Sequence, residues 1–193
     1  QIISAADIPF LRYNPPLNAN GAGLENFTFR VIDDGGTANG GINEDASANT
    51  VTIDVTSVND APAGTNNTVT TLEDTNYVFT AADFGFTDPS DAPANALQSV
   101  IIATIPAAGM LFLAAGASAP GPVTAGQEIS LADIPFLTFT PAANANDTNY
   151  ANFTFQVRDD GGTANGGVDL DASANTMQID VTSVNDAPLG TDN

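Results

Sequence analysis

The chain has no cysteine, no histidine and no tryptophan, and three arginines are its only basic side chains. Without cysteine, no disulfide can crosslink the fold, and zinc, copper and iron–sulfur centres lack the soft ligands on which they depend. Only paired carboxylates remain for catalysis, so we do not expect an enzyme. No run of about 18 apolar residues is present, so no transmembrane helix is predicted.

Acidic residues dominate the charge, because 23 Asp and Glu face three basic side chains and give a net charge of −20 at pH 7. Such a surface repels phosphate backbones and anionic lipids, so neither nucleic acid nor membrane insertion is expected. Two explanations of the excess acid stay open. The acids could keep the protein soluble, or clustered carboxylates could bind divalent cations, and we favour the cations.

A long internal repeat organises the sequence. Residues 1–67 align without a gap with residues 127–193, and about two thirds of the positions are identical. So long a period indicates tandem domains rather than a solenoid of short repeats. We therefore predict a complete unit at 63–188, the second half of a preceding unit at 1–62, and the start of a further unit at 189–193. The half-unit should be incomplete unless another segment or chain completes it.

The hydrophobic pattern is that of β-strands. Apolar residues alternate at Phe153, Phe155 and Val157, and again at Met177, Ile179 and Val181. Residues 100–105 are apolar on both faces and predict a central buried strand. About seven short strands per unit, separated by Gly, Pro, Asn and Asp clusters, predict an all-β fold with an antiparallel, immunoglobulin-type sandwich.

Two sequence segments carry a family resemblance. Phe-Thr-Phe-Gln-Val-Arg-Asp-Asp-Gly-Gly at 153–162, followed by Ile-Asp-Val-Thr-Ser-Val-Asn-Asp-Ala-Pro at 179–188, resembles the last hairpin and linker of a cadherin repeat. It is more similar still to the cadherin-like tandem repeats of large bacterial surface adhesins, including biofilm-associated and RTX types. In such proteins the linker and nearby acidic loops bind calcium and stiffen the rod.

The resemblance implies a set of calcium ligands at each junction. For the first junction it implies Asp7, Asn59, Asp60, Asp88, Asp91 and Asp159. For the next junction it implies Glu73, Asp133, Asn185 and Asp186. Ser57 and Ser183 replace the first aspartate of the cadherin linker, and one asparagine is missing before the proline. One or two ions per junction are therefore expected rather than three.

Each of these acidic positions also has a plainer explanation. Asn and Asp before Pro favour a turn without any ion, Asp88 to Asp91 is an ordinary turn sequence, and Asp159 could cap a hairpin. Residues 169–175, with Asp180, space their oxygens like an EF-hand loop, but Ala174 replaces the required Gly and no helices flank the loop. We interpret that loop as a hairpin tip.

The function expected from the sequence is a structural extension repeat of a bacterial cell-surface or secreted adhesin or extracellular fibre. Its cofactor would be Ca²⁺, and its partners would be neighbouring repeats of the same polypeptide or identical chains in a fibre. The alternative is a carbohydrate- or protein-binding β-sandwich module, although the chain has no Trp and only three Tyr for a sugar platform.

Overall fold

The computed structural model describes residues 1–188 and 190, and within them the fold is all-β, as predicted. The only helical segments there are short 3₁₀ turns. None of the helices described is long and apolar enough to cross a membrane. The chain forms two compact units, Gln1–Ser57 and Val58–Asn193. The predicted start of a further repeat at 189–193 lies outside the described residues, apart from Gly190.

The second unit contains two sheets. The five-stranded sheet has the order β3-β11-β10-β5-β8, and the four-stranded sheet has the order β4-β9-β6-β7. The strands are β3 (Asn67–Leu72), β4 (Tyr77–Val78), β5 (Leu97–Ile102), β6 (Met110–Leu113), β7 (Gly121–Pro122), β8 (Gln127–Ser130), β9 (Leu137–Thr140), β10 (Asp147–Asp159) and β11 (Asn175–Thr182). Two of these nine strands have only two residues, which is why the hydrophobic pattern indicated about seven.

Both sheets of the second unit contribute to one buried core, which is consistent with a β-sandwich. Strand β10 alternates as predicted, with Phe153, Phe155 and Val157 fully buried and the residues between them partly exposed. Edge-to-face aromatic pairs tie β10 to the earlier part of the unit. The ring centroids of Phe79 and Phe153 lie 5.6 Å apart, and those of Phe84 and Phe155 lie 4.9 Å apart.

One pairing departs from the predicted antiparallel arrangement. Strand β3 pairs with β11 in parallel, from Asn67 opposite Met177 to Leu72 opposite Thr182. These are the first and last strands of the unit. Both begin at the end of the sandwich where the chain enters the unit, and both run toward the opposite end. Neighbouring strands that point the same way must pair in parallel. The remaining pairings within these sheets are antiparallel.

The first unit is a two-stranded sheet of β1 (Gly21–Phe29) and β2 (Asn49–Val55). Its antiparallel register repeats that of β10 and β11, because Phe27 faces Val51 as Phe153 faces Met177. None of residues 1–57 is buried. Phe27 and Phe29 are 42% and 39% exposed, whereas their counterparts Phe153 and Phe155 are 0% exposed.

Candidate metal site

The segment that joins the repeats, residues 58–62 (the linker), packs on the second unit. The backbone carbonyl of Asn59 accepts a hydrogen bond from Val168 N at 2.9 Å. Asp60 N donates to Asp91 Oδ2 at 2.9 Å. Pro62 is buried, and Ala63 then forms a backbone bridge with Thr87. The linker therefore belongs to the second compact unit, which begins at Val58.

The side chain of Asn59 reaches into the end of the sandwich. Its Nδ2 donates to Asp159 Oδ1 at 3.0 Å and to the carbonyl of Val168 at 2.7 Å. Its Oδ1 accepts a hydrogen bond from Asn95 Nδ2. A Cβ atom at position 161 would overlap both Asn59 and Asn95, so Gly161 leaves the space that this amide fills.

Asp159 is buried because of its place in the strand. It follows Phe153, Phe155 and Val157 on the inward-facing side of β10, at the strand's last position. Its Oδ1 accepts hydrogen bonds from Gly161 N at 2.9 Å and from Asn59. Its Oδ2 is buried and has no hydrogen-bond partner. The side chain of Asp159 thus points inward at the end of β10, and one of its carboxylate oxygens has no protein donor.

Asp88 is the second buried acid at this end of the unit, with 6% of its surface exposed. Its Oδ2 accepts a hydrogen bond from Asn95 N at 2.5 Å, while its Oδ1 is buried without a partner. Asn95 therefore links Asp88 to Asn59, and Asn59 links onward to Asp159. Sequence reasoning missed Asn95, although its position four residues after Asp91 in the same loop placed it close to the acids.

The electrostatics of this cluster are unfavourable for two charged carboxylates. Burial raises the pKa of Asp159, hydrogen bonds from Gly161 and Asn59 lower it in part, and the negative charges of Asp88 and Asp169 raise it again. The neighbouring Arg158 faces outward and pairs with Asp169 at 2.8 Å and Glu128 at 3.1 Å. None of the ion pairs among the described residues places a positive charge on Asp88 or Asp159.

The chemical type of the donor atoms, which are all oxygens, suits a hard cation. Two carboxylates with unpartnered, buried oxygens lie beside a side-chain amide, and calcium takes carboxylate, amide and backbone oxygens. No group of three or more acidic side chains within residues 1–188 and 190 is arranged to hold a metal ion. An ion here would therefore use Asp88 and Asp159 and take its other ligands from neutral oxygens or water.

The structure brings together five of the six residues predicted for the first junction: Asn59, Asp60, Asp88, Asp91 and Asp159. We call these five residues the linker cluster. The sixth residue, Asp7, belongs to the first unit, where its Oδ2 accepts a hydrogen bond from Ser4 Oγ at 2.7 Å. The Ser130 hydroxyl makes the same contact with Asp133 in the second unit, at 2.9 Å. In both units this aspartate closes a turn before a short 3₁₀ segment.

The second predicted set is not brought together. Asp133 follows β8, whose last residue, Ser130, pairs with Ser99 near the Asp159 end of the sheet, whereas Glu73 lies at the opposite end. The placement of Asp133 with Glu73 is therefore corrected. Hydrogen bonds from the backbone and hydroxyl of Ser118 and from the Ser130 hydroxyl lower the pKa of Asp133. Asp133 therefore stabilises a loop rather than a linker.

Glu73 is buried but fully partnered. Its Oε1 accepts a hydrogen bond from Val184 N at 2.5 Å, and its Oε2 accepts one from Asn146 Nδ2 at 2.9 Å. Asn185 and Asp186 are exposed, and neither makes a side-chain hydrogen bond to Glu73. Glu73 therefore fixes the chain that leaves β11, and it leaves no buried oxygen free.

The EF-hand-like loop is also explained by hydrogen bonds. Asp171 is buried, and it accepts Ser173 N at Oδ1 and both Gly64 N and Asn175 Nδ2 at Oδ2. Asp45 makes the matching contacts to Ser47 and Asn49 in the first unit. The interpretation of residues 169–175 as a hairpin tip agrees with this geometry.

Comparison with known proteins adds no family to these observations. No protein-family model matches the chain, and searches of curated proteins and of solved structures give no significant match. The resemblance to cadherin-like adhesin repeats therefore remains a prediction from the sequence motifs.

Proposed function

We propose that this chain is a structural extension repeat of a bacterial cell-surface or secreted adhesin or extracellular fibre, stiffened by calcium where one repeat joins the next. The tandem repeat, identical at about two thirds of the aligned positions, and the lack of histidine and cysteine support a structural role. The immunoglobulin or cadherin-like type of sandwich belongs to the same proposal. It is supported by first and last strands that run side by side in one direction.

The observation that carries the proposal is the pair of unpartnered, buried oxygens on Asp88 and Asp159. A buried carboxylate oxygen without a donor, on a group without a counter-charge, is disfavoured, because burial removes its hydration without replacing it. A bound cation removes that penalty for both acids at once. With oxygen ligands only and no soft donors, calcium is the ion that suits the site best.

The position of the linker cluster accounts for stiffening. The linker carries Asn59 and Asp60, while Asp88, Asp91 and Asp159 come from loops and a strand end of the unit that follows. An ion held by Asp88 and Asp159 would fix the loops against which the linker packs, and Pro62 limits backbone rotation at its end. The direction in which the linker leaves the unit would then vary less.

The direct test is calcium binding to the chain, measured by calorimetry after exhaustive chelation, together with thermal unfolding and small-angle scattering. We expect calcium to raise the melting temperature of the second unit and to narrow the distribution of interunit distances. Magnesium at equal concentration should have a smaller effect, because it demands near-octahedral geometry and gives up its water reluctantly. Identical binding isotherms, melting curves and scattering with calcium and with EDTA would overturn the metal part of the proposal.

A further inference from the structure

The first unit carries an apolar surface whose counterpart in the second unit is buried. Ile8, Leu11, Phe27, Phe29 and Val31 are all exposed, although each is identical to a fully buried residue 126 positions later. Those buried counterparts are Ile134, Leu137, Phe153, Phe155 and Val157. Isolated exposed apolar side chains are ordinary, but an exposed set that repeats five fully buried core residues marks an interaction surface.

The second unit shows what covers this surface. Phe79 and Phe84, both from residues 63–126, pack on Phe153 and Phe155. Strand β3 from the same segment pairs with residues 177–182 of β11, and β5 pairs with residues 155–159 of β10. Strands β4 and β6 pair with β9 from its two sides. The interface between the first and second halves of a repeat therefore already exists once in this chain.

The first unit also lacks the strands that this interface would create. Residues 127–130 form β8 by pairing with β5, and residues 137–140 form β9 between β4 and β6. Their counterparts at 1–4 and 11–14 are not strands. This holds although Gln1, Ile3 and Ser4 are identical to the corresponding residues of β8, and Leu11 is identical to the first residue of β9. Turns that depend on local contacts persist, since Ile8–Phe10 is a 3₁₀ turn as Ile134–Phe136 is.

We infer that the first unit binds a first-half repeat segment, a polypeptide with the pattern of residues 63–126, in the register that β3 to β6 adopt in the second unit. In that register the counterpart of Phe79 covers Phe27, and the counterpart of Phe84 covers Phe29. The counterpart of β3 pairs with residues 51–56, and that of β5 pairs with residues 29–33. Binding adds strands at both free edges of the β1–β2 sheet and closes its apolar face.

A second copy of residues 1–193 cannot cover every such surface. This segment contains two second halves, at 1–62 and 127–188, and one first half, at 63–126. Exchange of first halves among copies of it therefore leaves one second half uncovered per copy. The occupant must be a first-half segment that is not already folded into a unit of its own.

The test joins a copy of residues 63–126 directly ahead of Gln1, which recreates the natural order of residues 126 and 127. Hydrogen exchange is compared between this fusion and the original chain. We expect amides in residues 29–33 and 51–56 to exchange at least about 100-fold more slowly in the fusion. Amides of β10 and β11 should be unchanged, because the second unit is already complete.

Matched variants identify the surface. In the fusion, Phe29→Ser should abolish the new protection, whereas Leu17→Ser should preserve it, since Leu17 is exposed and its counterpart Ala143 is also exposed. The substitutions Phe79→Ser and Phe84→Ser in the added copy should also abolish the new protection.

Unchanged exchange in the fusion would overturn the inference. So would protection of the original chain that rises with its own concentration, because that result would make a second copy the occupant. Neither outcome depends on calcium, so the result is separate from that of the metal proposal.

Discussion

Asn59 donates a hydrogen bond from Nδ2 to Asp159 Oδ1 at 3.0 Å, although 100 positions of sequence separate the two residues. Asn59 lies in the segment between repeats, and Asp159 is the last residue of a central strand. The contact makes the linker part of the second unit. It also leaves Oδ2 as the only Asp159 oxygen without a protein donor.

Asp159→Asn should lower the melting temperature only when calcium is present. In EDTA the amide keeps an oxygen acceptor for Gly161 and removes a buried charge, so we expect a melting temperature equal to or above that of the original chain. In calcium the variant should lose the stabilisation that the ion gives. A melting temperature that falls equally in both conditions would indicate a purely structural aspartate.

Asp171→Asn is the matched control for that variant. Asp171 is also buried, but its two oxygens are fully used by Ser173, Gly64 and Asn175. The amide would set a donor against existing donors and should lower stability by about 1–3 kcal/mol. Because no ion is involved, we expect the same loss in calcium and in EDTA by thermal or denaturant unfolding.

The raised pKa of Asp159 predicts a pH dependence in the absence of calcium. The folded state binds this proton more tightly than the unfolded state does, so the free energy of unfolding should fall as pH rises from about 4, the ordinary pKa of aspartate, through the raised value. Acidification restores that contribution. The difference in stability between the original chain and Asp159→Asn, followed by denaturant unfolding in EDTA, isolates it. A difference that stays constant with pH contradicts the assignment.

Gly161→Ala should displace the linker, because the added Cβ would overlap Asn59 and Asn95. We expect a loss of about 1–3 kcal/mol from overpacking, with weaker calcium binding. Gly35→Ala is the natural control, since Gly35 is the same position of the first unit and its Cβ would meet only the Asp33 carboxylate, at 3.1 Å. Equal effects of the two substitutions on unfolding would show that Asn59 does not fill that space.

Phe155→Ala and Phe29→Ala should differ in size even though the two residues are repeat equivalents. Phe155 is fully buried against Phe84, so its truncation should cost about 3–5 kcal/mol. Phe29 is 39% exposed, so its truncation in the original chain should cost less than about 1 kcal/mol. Chemical denaturation followed by circular dichroism compares the two variants.

The strands were predictable because one residue in two faces the core. The alternation of Phe153, Phe155 and Val157 predicts their strand, and the same alternation continued by two residues places the Asp159 side chain inward as well. The parallel pairing of β3 with β11 was not predictable in this way. Alternation reports which face of a strand is buried, and it carries no information about which strand lies beside it.

The candidate site was predicted only where the chain itself brings residues together at one end of the sandwich. Asn59, Asp60, Asp88 and Asp91 come from loops at that end, and the resemblance to cadherin repeats had grouped them with Asp159. Asp133 was misplaced because the resemblance supplied its partner, whereas the fold attaches it to Ser118 on a neighbouring loop. Hydrogen bonds between distant loops leave no periodic trace in a sequence.

The parallel ladder of β3 and β11 also decides how the second unit carries load. Tension along the chain acts at the start of β3 and the end of β11, so it pulls these neighbouring strands past each other along their own length. The paired residues from Asn67 opposite Met177 to Leu72 opposite Thr182 then share the strain together. In a sandwich with this strand arrangement, stretching loads all the hydrogen bonds between β3 and β11 in shear at the same time, so they do not break one after another.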